Sequence, residues 1–414
     1  MNKEPEVNAA RLLKSVADFA AIGATPAGGV NRQALSVEDR AARRLLAERA
    51  LARGFTVFQD EVANLFIRRE GRKAALAPLL IGSHLDSQPT GGRFDGALGT
   101  LTAFEVLEAL ADAGNETDRT IEVVAFTNEE GSRFSPGCMG SMAFAGVANV
   151  ADWRSARATD GALFSDELAS TLNDLPEAEI RPVGHAISAF VELHIEQGPI
   201  LEREGVPVGI VKAVQGTKWL EVAFSGEAAH AGTTPLEFRK DPMAAAAAAI
   251  ARIQSDIMPS DPDARLTVGR IAAEPGSINV IPGRVSFTVD IRHPDATILA
   301  AIERRVREAC QAAGERWGCR SVIQLRVDMP PGRFSPHVAR AIEDACTALD
   351  IACRPMISGA FHDALFVNRI APSAMIFVPC RNGVSHNEAE FVSDDHIIIG
   401  ARALLGAVVK LSCE

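Results

Sequence analysis

Apolar positions in the first third of the chain switch between two periods. Residues 11–20 and 37–52 carry apolar stripes at helical spacing, and residues 56–58 and 64–67 read as short strands. Residues 79–82 are apolar up to Gly82, the pattern of a strand buried on both faces. Leu98, Leu101, Phe104, Leu107 and Leu110 return to helical spacing, and residues 121–126 form another buried run. This alternation predicts an α/β unit, a mostly parallel sheet flanked by helices. Residues 151–183 are more polar and irregular and read as a helical insertion, after which residues 190–194 resume a strand.

From about residue 215 the grammar changes. Trp219, Glu221, Ala223 and Ser225 alternate with Leu220, Val222 and Phe224, as on a half-buried strand. An alanine-rich helix over 242–257, strands over 266–271 and 285–291, a helix over 296–313 and a strand over 321–327 follow. The order βαββαβ is the ferredoxin-like split pattern. It predicts a smaller α+β domain, residues 214–328, inserted into a larger one made of residues 1–213 and 329–414. Asp328, Met329, Pro330, Pro331 and Gly332 form the exit hinge, because prolines and glycine end a strand. A helix over 336–349, a strand over 374–378 and a closing helix over 394–411 belong to the larger domain.

Composition narrows the class without naming a function. At 414 residues the chain can bury two cores, and 47% hydrophobic with 23% charged residues is ordinary for a globular protein. A formal charge of −11 argues against a nucleic-acid surface and against a polybasic membrane patch. The seven cysteines are scattered, form no Cys-x-x-Cys pair and are odd in number, which predicts reduced thiols and a cytoplasmic setting. Residues 1–6 lack the basic segment and apolar run of a secretory leader, and no apolar stretch has the length of a membrane span.

The candidate chemistry lies where the apolar strands end. His84 and Asp86 follow the strand at 79–82, and Asp95 follows in a glycine-rich turn before a helix, the edge at which open α/β sheets place their sites. His84 with Asp86 reads as a polar pair at a loop start, or as a metal ligand whose ring is held by a carboxylate. Asp95 reads as a helix cap, or as a carboxylate shared by two cations. Glu129 and Glu130 are adjacent acids at the end of the strand over 121–126, and they repel unless a cation or proton compensates. One would ligate metal while the other takes a proton from water. His194 ends a strand and His386 lies in the loop after another. Together the candidates form two sets: His84, Asp95 and His194 for one divalent ion, and Asp95, Glu130 and His386 for a second. Mixed imidazole and carboxylate donors suit zinc, and also manganese, cobalt or nickel.

The segments GSHLDSQPTGGRFDGALG, FTNEEGSRF, HIEQGP, GEAAHAGTTP, PGSINVIPGRVSFTVDIRH, SGAFHDA and VSHNEAE, in that order, span nearly the whole chain. In them the chain resembles the M20 metallopeptidase superfamily, and within it the amidase branch of N-carbamoyl-L-amino acid hydrolases, β-ureidopropionases and allantoate amidohydrolases. The resemblance implies that Glu129 is the general base and Glu130 a metal ligand. It also implies that the inserted domain is a lid that pairs two subunits as a homodimer. It places His230 over the reacting carbonyl, often from the partner subunit, as an oxyanion stabiliser. It makes Arg292 a carboxylate clamp, assigns Asn279 and Gln197 to the substrate, and sets Gly359 and His362 beside it. Phe361 stands where such proteins often have a small residue, so the pocket is expected to differ in shape.

The expected catalytic set is therefore Glu129, His230 and Asp86. The expected substrate is a small ureido compound carrying a carboxylate: an N-carbamoyl amino acid, or allantoate as the rival. An aminopeptidase or N-acyl amino acid deacylase is disfavoured by the GTTP and HIEQGP segments. A metal-free binding protein is disfavoured because all five ligands and the base are present.

Overall fold

The computed structural model describes residues 4–413; the expected outer limits of the larger domain at residues 1 and 414, and the opening three residues of the leader reading, lie outside the described residues. The chain folds into two compact units. The larger comprises the chain up to Lys212 and from Phe334 on, and the smaller is Ala213–Arg333.

In the larger unit the centre of the sheet is parallel. Ser373–Val378, Ala189–Ile195, Leu79–His84 and Ile121–Phe126 lie side by side in that order, all pointing the same way. They are buried along their whole lengths, which is why each reads as a largely apolar run, interrupted by Glu122 in one and by Glu192 and His194 in another. Antiparallel strands border this core: Val208–Val214 on one side, Leu65–Arg69 and then Thr56–Asp60 on the other. Ala97–Asp112 and Asp394–Ser412 pack against the sheet. Because the four central strands are parallel, their carboxyl ends share one edge, and the chains leaving His84, Phe126, Ile195 and Val378 converge there.

That edge is pinned from below by buried polar side chains. Arg32 donates from Nε to Leu85 O at 2.7 Å and from Nη1 to Phe19 O at 2.7 Å, which fixes the peptide between His84 and Asp86. Asn64 donates from Nδ2 to Asp60 Oδ2 (2.8 Å) and Gly140 O (3.1 Å), and its Oδ1 accepts the Thr127 amide at 2.9 Å. It therefore ties the turn after Thr56–Asp60 to the loop that carries Glu129. Asn64→Ala would leave three buried groups unpaired. It is expected to lower unfolding free energy by about 2–4 kcal/mol in urea titrations; a change under about 1 kcal/mol would remove this link from the account.

The smaller unit is an antiparallel sheet. Arg265–Thr267 and Ile271–Glu274 both pair with Arg284–His293, which pairs with Gly216–Ser225, which pairs with Arg320–Met329. Leu220, Val222, Phe224, Val285, Phe287 and Val289 pack beneath the helices Pro242–Ile257 and Ala296–Arg316.

Three local readings change. The strand expected over 266–271 is two strands, since Thr267 faces Asp290 while Ile271 faces Phe287, so the Gly269 segment bulges by one residue. The polar insertion at 151–183 holds the helix Phe164–Asn173 but also Glu179–Arg181, a parallel edge strand on Thr56–Asp60. Val208–Val214 and Cys353–Ser358 are strands without a counterpart in the sequence reading.

Candidate metal centre

His84 closes its strand fully buried. Its Nδ1 lies 2.9 Å from Asp86 O, so this nitrogen carries the proton and Nε2 presents a lone pair. Nε2 is buried and has no hydrogen-bond partner; it lies 3.8 Å from Asp95 Oδ1 and 3.5 Å from Glu129 Oε2. The carboxylate of Asp86 is 3.7 Å from Nδ1 and does not hold the ring. The expected carboxylate–imidazole pair is thus a carbonyl–imidazole pair. The Asp86 oxygens instead accept the backbone amides of Glu129 and Glu130, both at 3.2 Å. Asp86 thereby holds the loop that carries Glu129 and Glu130.

Asp95 lies between two clusters. Its Oδ1 is 3.0 Å from His194 Nε2, and the Nδ1 of His194 points to Ile195 O at 3.0 Å. Its Oδ2 is 3.5 Å from His386 Nε2, which is 3.4 Å from Glu130 Oε2. One donor atom each from His84, Asp95 and His194 falls within 4.8 Å of the others, and the same holds for Asp95, Glu130 and His386. Asp95 is common to both groups and turns one oxygen toward each. Gly96 begins the next helix at φ 62°, and a Cβ there would meet the His84 ring at 2.1 Å, so this turn requires glycine.

The surroundings favour a cation. Burial, then the charges of Asp363, Glu130, Asp86 and Asp95, push the Glu129 carboxyl well above its usual range; burial and the charges of Asp95 and Asp86 do the same to Glu130. Burial lowers His84 to about 4, so its imidazole stays neutral and available as a ligand. Burial would also lower His194, but the hydrogen bond and charge of Asp95 outweigh it and raise the group to about 9. Surplus acid around these imidazoles, with an unpartnered His84 Nε2, fits divalent metal ions. Among the described residues a further group, Glu192, His194 and His362, also has donor atoms within 4.8 Å, but it shares His194 with the first.

The other expected site residues divide between the units. Gln197 stands at the centre, its Nε2 donating to Asp95 Oδ2 at 3.0 Å while its buried Oε1 has no partner. His362 is buried with its ring 4.5 Å from that of His194, and its Nε2 is 2.9 Å from Ser358 Oγ. Gly359 follows Ser358, and a Cβ there would meet nothing within 4 Å. His230, Asn279 and Arg292 belong to the smaller unit. His230 is exposed and pairs across a two-residue ladder with Val280; its Nδ1 accepts the Gly232 amide at 3.1 Å. The side chain of Asn279 accepts from Ser277 Oγ at 2.9 Å. Asp290 grips Arg292 at 2.8 Å.

Several participants had escaped the sequence reading. Gln88 donates to Glu130 Oε2 at 2.7 Å. The Cys138 thiol lies 3.6 Å from Glu129 Oε1, and its amide donates to Glu129 O at 2.8 Å. Glu192 precedes His194 by two residues on one strand and so shares its face, a signal that period two would have exposed. The roles of Gln88 and Cys138 depend on loop geometry and leave no such signal.

The chain is similar to known proteins along nearly its whole length. A model described as peptidase family M20/M25/M40 matches residues 80–410. The chain is 37% identical over 415 residues to an N-carbamoyl-L-amino-acid amidohydrolase of Pseudomonas sp. strain NS671, covering 99% of each chain. It is 35% identical to an allantoate amidohydrolase of Bacillus subtilis, covering 96% of this chain and 97% of the other. A crystal structure of a hydantoinase/carbamoylase family amidase from Burkholderia multivorans superposes with a TM-score of 0.93 at 41% identity, covering 99% of each chain.

Proposed function

The chain belongs to peptidase family M20/M25/M40 and is an amidohydrolase acting on amide C–N bonds; from that premise we propose that it cleaves the ureido group of N-carbamoyl amino acids, L-α or β. The observation that carries this reading is Asp95, shared by two donor groups, with Glu129 in neither and its Oε2 3.5 Å from His84 Nε2. His84, Asp95 and His194 would hold one divalent cation and Asp95, Glu130 and His386 a second, zinc by donor set, with manganese, cobalt or nickel as alternatives. Bound there, the cations supply Lewis-acid activation of water and of the substrate carbonyl.

The chain's own groups do the rest. Glu129 takes the proton of the attacking water and returns it to the leaving nitrogen. Its loop is held by Asp86 through two amides, so the carboxylate meets the substrate already oriented. Gln197, with its Oε1 unpartnered, accepts from a ureido N–H. His230 stabilises the tetrahedral oxygen, and Arg292 and Asn279 hold the substrate carboxylate. Gly359, which leaves open space, and His362 shape the near wall. One water is consumed per turnover: R–NH–CO–NH2 and H2O become R–NH2, CO2 and NH3.

We read the smaller unit as a ferredoxin-like lid that pairs two copies of the chain. Its two helices and antiparallel strand order support that reading, as does its carriage of His230, Asn279 and Arg292. A cytoplasmic setting is supported by seven free thiols. Among the described residues no helix is long and apolar enough to cross a membrane.

Allantoate is the second reading, since it also joins a ureido group to a carboxylate and a relative at 35% identity bears that name. Incubation of metal-loaded protein with N-carbamoyl-L-amino acids, N-carbamoyl-β-alanine and allantoate, with ammonia quantified, separates the two. Faster release from the carbamoyl amino acids is expected. Preference for allantoate would transfer the assignment to it, and no release from any of the three would overturn the proposal.

A further inference from the structure

Glu390 is a buried acid, 3% exposed, placed beside another acid, Asp95. Its Oε1 accepts two backbone amides, from Phe94 at 3.0 Å and from Asp95 itself at 3.1 Å. Its Oε2 is 3.2 Å from the hydroxyl of Ser385, and that hydroxyl is 2.9 Å from Asp95 Oδ2. The chain passes over this carboxylate at Gly92, where a Cβ would lie 2.0 Å from Glu390 Oε1. One side chain thus reaches the backbone of the shared ligand and the residue next to His386, and through that residue's hydroxyl the far oxygen of the ligand. The segments it joins are nearly three hundred positions apart in sequence.

We infer that Glu390 is a positioning residue for the metal centre: it sets the direction of the Asp95 carboxylate and registers the Asp95 turn against the His386 loop. The inference rests on the metal reading above. Its physical content is geometric. With the Asp95 amide fixed, the side chain leaves the turn in one direction, and Ser385 settles which oxygen faces His386. What the role requires is an acceptor at the right reach, and a negative charge is secondary. That requirement separates positioning from simple electrostatics. In Glu390→Gln the amide oxygen still accepts both backbone amides, and the amide nitrogen still meets Ser385. Glu390→Asp keeps the charge but is one methylene too short to span both.

The test is manganese affinity of the intact protein. Metal-free wild type, Glu390→Gln and Glu390→Asp are titrated with MnCl2, free Mn2+ is read by electron paramagnetic resonance, and thermal melting of each metal-free protein is recorded alongside. Glu390→Gln is expected within about threefold of wild type, and Glu390→Asp weaker by about 10- to 100-fold, the range for partners that orient ligands. An Asp variant that binds as tightly as the Gln variant, or more tightly, overturns the inference, as does equal binding by all three proteins. Failure of the wild type to bind Mn2+, Zn2+ or Co2+ at all would instead overturn the metal reading, a result distinct from any ordering of the variants.

Discussion

Glu129→Gln is expected to lower kcat by roughly 10³-fold, within the range for loss of a positioned general base, and to leave metal content and melting temperature near wild type. The asymmetry follows from where the side chain stands. Glu129 Oε2 is 3.5 Å from His84 Nε2, yet the residue lies outside both donor groups. Its loop is held by backbone contacts to Asp86 and Cys138, which glutamine retains. Burial and four surrounding carboxylates raise its affinity for a proton, the direction the proposed base role requires. Glutamine keeps the shape and cannot carry that proton. Turnover at the wild-type rate would mean that another group, or none, accepts it. A fall in metal content equal to the fall in kcat would make Glu129 a ligand.

Asp95→Ala is expected to abolish both kinds of readout together. It removes the one side chain that the two donor groups share, so each group falls to two side chains. Divalent affinity should drop by more than about 100-fold, beyond the range for outer partners, and turnover should fall with it. His194 would also lose the carboxylate that raises its proton affinity, and Ser385 and Gln197 would lose their shared acceptor. The measurement is bound metal by mass spectrometry after dialysis, beside ammonia release. Retention of metal near the wild-type level would show that Asp95 is not shared between ions.

How far sequence alone reaches can be judged from particular elements. Leu79–His84, Ile121–Phe126, Ala189–Ile195 and Ser373–Val378 were legible because strands buried on both faces read as largely apolar runs, and their ends point to the site edge. Glu179–Arg181 was not, because an exposed three-residue edge strand has no hydrophobic period to detect. At the centre, residue types that carry their own chemistry, such as His84, Asp95 and Glu130, stand out in a sequence. Residues that act by meeting a backbone amide do not: Asp86 accepts the amides of Glu129 and Glu130, and Glu390 those of Phe94 and Asp95. Their partners are fixed only when distant loops meet.

The neck joining the two units has its own consequence. Gly332 and Arg333 pair antiparallel with Val214 and Ala213, and the Phe334 amide donates to Lys212 O at 2.9 Å. The chain thus departs and returns as the two legs of a hairpin whose loop is an entire folded unit. A two-residue Asn-Gly turn could close those legs in place of residues 215–331. Such a shortened polypeptide would isolate the larger unit, with the residues proposed to hold the ions, for separate measurement, without the groups proposed to grasp the substrate.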